Sequence, residues 1–161
     1  MIILGIDPGI ATTGVGVVEL KGSKLNVHHY GIISTPAKTP LTDRLMMLSD
    51  GLKDILTTYS PDAVAVEELF FNNNAKTALI VGQARGVILL TAAQNGCQVA
   101  SYTPLQVKMG VCGYGRADKT QVQYMVKKLL GLTQIPKPDD AADALAIAIC
   151  HGHSHKIGSL G

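Results

Sequence analysis

Carboxylate side chains stand at the ends of apolar segments, in places where a fold could gather them. Asp7 follows the apolar run 1–6, Glu67 follows the apolar run 63–66, and Asp140 and Asp143 are three residues apart where a helix is predicted to begin. Carboxylates that pack together repel one another and raise each other's pKa unless a cation compensates. Their joint placement therefore predicts a metal site.

The donor atoms of such a site indicate the metal and the reaction. An all-oxygen ligand set favours Mg²⁺, with Mn²⁺ as a substitute, over zinc. Two such ions, about 3.5 to 4 Å apart, can activate water and stabilise the leaving oxygen of a phosphodiester, so no covalent nucleophile is required. Each acid also has a plainer alternative: Asp7 as a turn residue, Glu67 as the solvent end of a strand, and Asp140 and Asp143 as helix N-terminal charges. Alternation alone does not decide whether Glu67 or Glu68 faces inward.

The apolar patterns predict the elements that must position these acids. The first three strands, at 2–7, 13–19 and 25–34, are predicted to form an antiparallel meander. A helix at 41–56 then leads to a strand at 63–67 that is parallel to the first. A helix is predicted next at 74–93, followed by a strand at 99–103 and a helical turn from 104. A mobile glycine-rich loop at 110–115 leads to a helix after 115 and a last helix at 140–151. This order predicts an α/β fold with a mixed five-stranded sheet and helices on both faces, similar to the ribonuclease H-like architecture.

Size and composition bound the class of protein. The 161 residues, 47% of them apolar, predict a single domain over 1–155 and a flexible C-terminal tail over 156–161. We expect no membrane span, a cytoplasmic location, and free thiols at Cys97, Cys112 and Cys150. Residues 71–161 hold 9 Lys/Arg against 4 Asp/Glu, whereas residues 1–70 hold 5 against 8, so the second half could offer a surface to a polyanion.

Two further patterns have open meanings. Ala78, Gly82 and Gly86 give the predicted helix a face of small residues, which suits close packing within the chain or against a second subunit. The alternating residues His151, His153 and His155 could bind a metal if extended, but a solvated tail is the preferred interpretation because no acidic partner accompanies them.

Four segments in order along the chain resemble the RuvC family of bacterial Holliday junction resolvases: Gly5-Ile6-Asp7-Pro8-Gly9, Val66-Glu67-Glu68-Leu69-Phe70, Gly82-Gln83-Ala84-Arg85-Gly86 and Asp140-Ala141-Ala142-Asp143-Ala144-Leu145-Ala146-Ile147-Ala148. The resemblance covers essentially residues 1–153. It implies a homodimeric, Mg²⁺-dependent endonuclease, with two ions in each active site, that makes paired nicks across a four-way DNA junction in recombination and repair. A branch-migration complex, formed by a junction-binding protein and its ATPase motor, is the implied further partner.

The resemblance also implies roles for individual residues. Asp7, Glu67, Asp140 and Asp143 become the metal-binding catalytic carboxylates, and Asp139 remains a helix cap. Lys119 would neutralise charge on the scissile phosphate. The implied DNA-binding residues are Phe70, as a base-stacking wedge, together with Lys76, Arg85, Lys108, Arg116 and Lys119.

Three rival functions have support in the same sequence. Asp7-Pro8-Gly9 with Thr12, Thr13 and Gly14 looks like the phosphate loop of actin-like ATPases and sugar kinases, which need two domains to clasp a nucleotide. A related nuclease that acts on RNA and a silent junction-binding protein are the others. Turnover of ATP would favour the kinase-like function, and metal-independent binding without nicks would favour the silent junction-binding protein. Metal-dependent nicking of DNA or of RNA would distinguish the two nucleases.

Overall fold

The sheet places the ends of two central strands side by side. A computed structural model describes residues 1–68 and 74–159, and within them five strands form one sheet in the order β3-β2-β1-β4-β5. The strands are β1 (Ile2–Asp7), β2 (Thr12–Lys21), β3 (Lys24–Ser34), β4 (Ala63–Glu67) and β5 (Gln98–Tyr102). The first three form the predicted antiparallel meander, and β4 is parallel to both β1 and β5. The mixed five-stranded sheet is therefore confirmed.

Helices cover both faces of this sheet. They are α1 (Leu41–Tyr59), α2 (Ala75–Gln94), α3 (Pro104–Cys112), α4 (Lys119–Leu129) and α5 (Asp139–Ser159). One buried cluster joins the sheet to α1 and α2, and a second joins its other face to α3, α4 and α5. Side chains alternate between the faces along each strand, so Leu4 and Ile6 of β1 belong to the first cluster and Ile3 to the second. The same alternation turns Asp7 toward the face that α5 covers.

Glycines allow α5 to lie directly on β1 and β2. A Cβ atom at Gly5 would overlap the carbonyl oxygen of Ala144, and one at Gly14 would overlap that of Asp140. At Gly16 a Cβ would come within 2.9 Å of the Leu145 nitrogen. The absence of side chains at these positions brings the first turn of α5 against the strand ends.

Two helices extend beyond their predicted limits. The predicted turn at Pro104 is a nine-residue helix with a Thr103–Gln106 capping box, so the expected loop over 110–115 starts only at Gly113. Helix α5 runs to Ser159 rather than to about His151, which makes the predicted tail helical as far as the description extends. Sequence periodicity marks helix ends poorly when the helix is apolar on most sides, as α5 is.

The C-terminal histidines are therefore part of a packed helix rather than a solvated tail. His151 Nδ1 lies 2.8 Å from the Tyr102 hydroxyl, and His153 Nδ1 lies 2.7 Å from the Gly110 carbonyl oxygen. His155 is exposed and stacks on His151. The interpretation of these histidines as a solvated tail is therefore wrong, because Tyr102 of β5 and Gly110 of α3 contact His151 and His153. The flexible tail expected over 156–161 stays a prediction.

Helix α2 has an exposed apolar surface. The Asn74 side chain caps its N-terminus as predicted, and its buried positions are Ala84, Ile88, Thr91 and Ala92. The exposed fractions of Leu79 and Leu90 are 64% and 58%, and a Cβ at Gly86 would meet nothing within 4 Å. By length and composition alone, α2 is the described helix that could cross a membrane, although core helices of soluble proteins pass the same weak test.

Candidate active site

Asp7 and Glu67 meet because their strands are parallel neighbours. Ile6 of β1 is in register with Val66 of β4, so the next residue of each strand emerges at the same sheet edge. The two carboxyl groups lie close enough for each to influence the pKa of the other, while Glu68 is exposed. This contact resolves the ambiguity that alternation left between Glu67 and Glu68.

The first turn of α5 brings two more carboxylates to that edge. Carboxylate oxygens of Asp7, Asp140 and Asp143 all lie within 4.8 Å of one another. Thr12 Oγ1, on β2, donates a 2.8 Å hydrogen bond to Asp140 Oδ2. Residues far apart in the sequence thus converge as the all-oxygen ligand set suggested.

Three acids of this carboxylate cluster, which is formed by Asp7, Glu67, Asp140 and Asp143, have raised pKa values. Burial, followed by repulsion from the other three carboxylates, raises the pKa of Asp7 from 3.8 to about 8. Burial, followed by the charge of Asp143, also raises the pKa of Glu67. Burial raises the pKa of Asp143 against the opposing effect of Lys119. A divalent cation bound by these oxygens would remove the repulsion, so the residues fit a magnesium-like ion.

Lys119 supplies positive charge at the border of the cluster. Its Nζ lies 3.2 Å from Asp139 Oδ2 and 3.8 Å from Asp143 Oδ2. Hydrogen bonding to Asp139, followed by the charge of Asp143, raises the pKa of Lys119. The ammonium group is therefore charged at neutral pH and faces the carboxylates.

A cleft of about 200 Å³ opens beside these groups. Its lining includes the acids Glu67 and Asp143 together with the lysines Lys108 and Lys119. Acidic and basic side chains thus border the same opening. Such a cleft suits an anionic substrate that binds across a metal.

The other predicted DNA-binding residues lie in different settings. Arg85 donates from Nε to the Glu67 carbonyl oxygen at 3.1 Å and from its terminal nitrogen to Ser101 Oγ at 2.7 Å, so it braces the end of β4. Lys76 is exposed in the first turn of α2, and Arg116 is exposed in the segment between α3 and α4. Phe70 lies outside the described residues, and its predicted wedge role stays a prediction.

The sequence did not predict the contacts that two residues make with the site, Thr12 and Asp139. Thr12 was noted only for its resemblance to a phosphate loop, yet its hydroxyl contacts Asp140 across 128 positions of sequence. Asp139 was expected to be a helix cap, whereas its carboxylate accepts contacts from the side chains of Lys119, Lys137 and Gln123. A basic residue opening α4 and an extra acid opening α5 were the available signals, but only the fold shows that they meet.

Comparison with known proteins gives concordant matches. The family model described as crossover junction endodeoxyribonuclease RuvC matches residues 3–151. A protein of that name from Ruminiclostridium cellulolyticum is 57% identical over 160 residues, which cover 99% of this chain and 96% of the relative. Another, from Desulfitobacterium hafniense, is 60% identical over 154 residues, which cover 96% of this chain and 93% of the relative.

A solved structure extends the similarity to three dimensions. The structure of Thermus thermophilus RuvC in complex with a Holliday junction substrate superposes with a TM-score of 0.94 at 39% sequence identity. The match covers 99% of this chain and 97% of that one. The similarity therefore includes the elements that carry the carboxylate cluster as well as the sheet.

Proposed function

The chain belongs to the crossover junction endodeoxyribonuclease RuvC family, and we propose that it resolves four-way DNA junctions by metal-dependent hydrolysis of phosphodiester bonds. The observation that carries this proposal is the carboxylate cluster, in which oxygens of Asp7, Asp140 and Asp143 lie within 4.8 Å of one another beside Glu67. The curated relatives bear the name of such an endonuclease, and the Thermus thermophilus structure contains a Holliday junction.

The cluster's residues have separate tasks in the proposed reaction. Asp7, Glu67, Asp140 and Asp143 would hold two Mg²⁺ ions, for which Mn²⁺ could substitute, and bound ions of this kind supply activated water and stabilise the leaving oxygen. Lys119 would lie against the scissile phosphate and offset its developing negative charge. Lys108, which lines the same cleft, would contact the DNA backbone.

Other predicted residues would contact DNA outside the cleft. Lys76 and Arg116 are exposed and free to reach phosphates in the described structure, and Arg85 would act at the end of β4. Phe70 would stack on an unpaired base near the junction centre, which contributes about 1 to 3 kcal/mol in comparable sites. These contacts would place the scissile bond, while the carboxylates perform the chemistry.

The substrate's symmetry favours a homodimer. A four-way junction has approximate two-fold symmetry, so two copies of the cluster related by a two-fold axis would cut strands of like polarity on opposite sides. The exposed apolar side chains of α2, Leu79 and Leu90, offer a surface for the second copy. We place this activity in the cytoplasm, in recombination and repair, with a branch-migration complex as the further partner.

The decisive experiment compares wild-type protein with Asp7→Asn on labelled four-way DNA, duplex DNA, RNA and ATP, each with Mg²⁺ or EDTA. We expect Mg²⁺-dependent paired nicks on the four-way DNA alone, with ligatable products. Asp7→Asn should still bind the junction but should not nick it. Nicking by this variant at the wild-type rate would remove Asp7 from the catalytic set, and cleavage of RNA or turnover of ATP would contradict the proposed substrate.

A further inference from the structure

We propose that Asp139 is a positioning residue, which holds the ammonium group of Lys119 at the border of the carboxylate cluster. The inference rests on the proposed function, because it assigns a supporting role to a residue next to the cutting site. Asp139 itself does not belong to the group of oxygens within 4.8 Å that could hold a metal. Its carboxylate is instead directed to basic and amide side chains.

The contacts of Asp139 form a bridge between two helices. Its Oδ2 lies 3.2 Å from Lys119 Nζ, and its Oδ1 accepts from Gln123 Nε2 at 3.2 Å. Lys119 and Gln123 are one turn apart on α4, so both reach the same carboxylate from the same helix face. Lys137 Nζ also lies 3.2 Å from Oδ1, the oxygen that accepts from Gln123. Asp139 therefore ties the start of α4 to the turn of α5 that carries Asp140 and Asp143.

Lys119 needs such a partner because little else restrains it. It is the first residue of α4, and 57% of its side chain is exposed. Its other acidic contact, Asp143 Oδ2, is 3.8 Å away, which is longer than a hydrogen bond. A lysine side chain has many rotamers, so a free Lys119 would spend much of its time away from the cleft. The contact with Asp139 keeps the ammonium group where a phosphate would arrive.

The two acids that face Lys119, Asp139 and Asp143, would respond differently to a bound cation. A cation bound by the cluster would neutralise Asp143 and weaken its attraction for Lys119. Asp139 lies outside the cluster and would keep its charge, so its hold on Lys119 would persist when the site is loaded. Lys119 would then remain beside the cleft and be available to the substrate.

A double-mutant cycle tests this inference. Asp139→Asn, which keeps the shape and removes the charge, should slow single-turnover nicking about tenfold. Junction affinity should change by less than about twofold. In a Lys119→Met background, Asp139→Asn should cause no further loss, because the residue it positions is gone. Asp139→Glu should restore part of the rate, and Lys128→Met, a matched charge loss elsewhere on α4, should nick like wild type.

A second readout does not depend on catalysis. NMR relaxation of lysine NH₃⁺ groups in the metal-free protein should show a restrained Lys119, which becomes mobile in Asp139→Asn. Equal slowing by Asp139→Asn in both backgrounds, or unchanged Lys119 mobility, would overturn the inference. Wild-type nicking by Lys119→Met would overturn it together with the role of Lys119. Absence of nicking by the wild-type protein would instead overturn the proposed function, and the NMR measurement would still decide whether Asp139 restrains Lys119.

Discussion

At the scale of single residues, Asp7 is a largely buried acid whose pKa is strongly raised. In the metal-free fold its pKa is about 8, against 3.8 for an unperturbed carboxyl group. Burial is the largest cause of this shift, and the charges of Glu67, Asp143 and Asp140 add to it. The metal-free protein therefore holds a proton in the site where the loaded protein would hold cations.

This proton makes the stability of the metal-free protein depend on pH. Between the unfolded and folded pKa values of Asp7 the folded state binds more protons than the unfolded state, so the free energy of unfolding falls as pH rises from about 4 toward 8. The slope from one such group cannot exceed about 1.4 kcal/mol per pH unit. Asp7→Asn, a permanent mimic of the protonated form, should flatten this slope and stabilise the protein at about pH 8 by roughly 1 to 3 kcal/mol.

Chemical denaturation in EDTA across this pH range measures both quantities. Added Mg²⁺ should reverse the trend for the wild-type protein, because the ion binds the ionised cluster of the folded state. Identical slopes for wild type and Asp7→Asn would show that Asp7 is not the titrating group. An Asp62→Asn variant, which removes an acid outside the cluster, controls for the loss of a carboxylate.

Thr12 provides a second residue-scale prediction. Its hydroxyl donates to Asp140 Oδ2 at 2.8 Å and fixes the orientation of that carboxylate. Thr12→Val keeps the volume but removes the donor, and we expect metal affinity to fall about tenfold or more, since partners of metal ligands commonly have effects of this size. Thr12→Ser keeps the donor and should remain near wild type in Mn²⁺ titrations. Equal affinities for all three proteins would contradict the role of the hydroxyl.

At the scale of elements, the packing of α5 on the sheet determines where two of the acids lie. The helix between β1 and β4 predicts that these strands are parallel neighbours, so an acid at the end of β4 could be expected near Asp7. Alternation left Glu67 and Glu68 open, and only the family resemblance favoured Glu67. The approach of α5 could not be predicted, because it depends on Gly5, Gly14 and Gly16 lying under one helix. A glycine within a strand indicates either a bulge or a place where another backbone packs closely. The sequence does not show which segment of the chain packs there.

The same limit explains why other polar contacts in the fold were not predicted. Contacts of Asp139 with α4 and of His151 with Tyr102 join residues that periodicity treats independently. Local patterns specify which side of an element is buried, whereas these polar pairs depend on the relative placement of elements. Sequence reasoning therefore found the carboxylate cluster but missed the partners that orient it.

Gly14→Ala tests the element-scale argument. Its new Cβ would overlap the Asp140 carbonyl oxygen, so the first turn of α5 would have to move away from β2. We expect a loss of about 1 to 3 kcal/mol in unfolding free energy, because backbone cannot yield as a flexible side chain does. Metal affinity should fall as well, since Asp140 and Asp143 move together. Thermal and chemical denaturation with Mn²⁺ titration measure both effects.

Gly158→Ala is the matched control for this substitution. Gly158 also belongs to α5, but a Cβ there would meet nothing within 4 Å. Replacing a helical glycine by alanine in open space should leave stability unchanged or raise it by up to about 1 kcal/mol. If Gly14→Ala were as harmless as Gly158→Ala, the glycines under α5 would not be what positions the acids.

At the scale of the whole molecule, the cutting site and the apolar surface of α2 belong to different parts of one unit. The two buried clusters join helices on both faces to a single sheet, so a second copy bound through α2 would be held in a fixed relation to the carboxylates. Leu79 and Leu90 are 64% and 58% exposed and lie three turns apart on α2, with the uncovered Gly86 between them. Exposed apolar side chains in such a row are typical of a subunit interface.

Leu79→Glu with Leu90→Glu should therefore convert a dimer into a monomer, because two like charges would face their copies across a two-fold axis. Analytical ultracentrifugation measures the change in mass, and circular dichroism checks that the fold remains. On a supercoiled plasmid with a cruciform, paired cutting gives linear DNA, whereas independent cuts give nicked circles first. The monomeric variant should give nicked circles at a reduced rate, since each carboxylate cluster is complete within one chain.

Leu105→Glu is the control, because Leu105 is also an exposed apolar residue, at 60%, but lies on α3 rather than α2. It should remain dimeric and should yield linear product as wild type does. A Leu79→Glu, Leu90→Glu protein that stays dimeric would place the interface elsewhere. Linear product from a protein shown to be monomeric would mean that paired cutting does not require the two-fold arrangement, and the link between subunit symmetry and junction symmetry would fail with it.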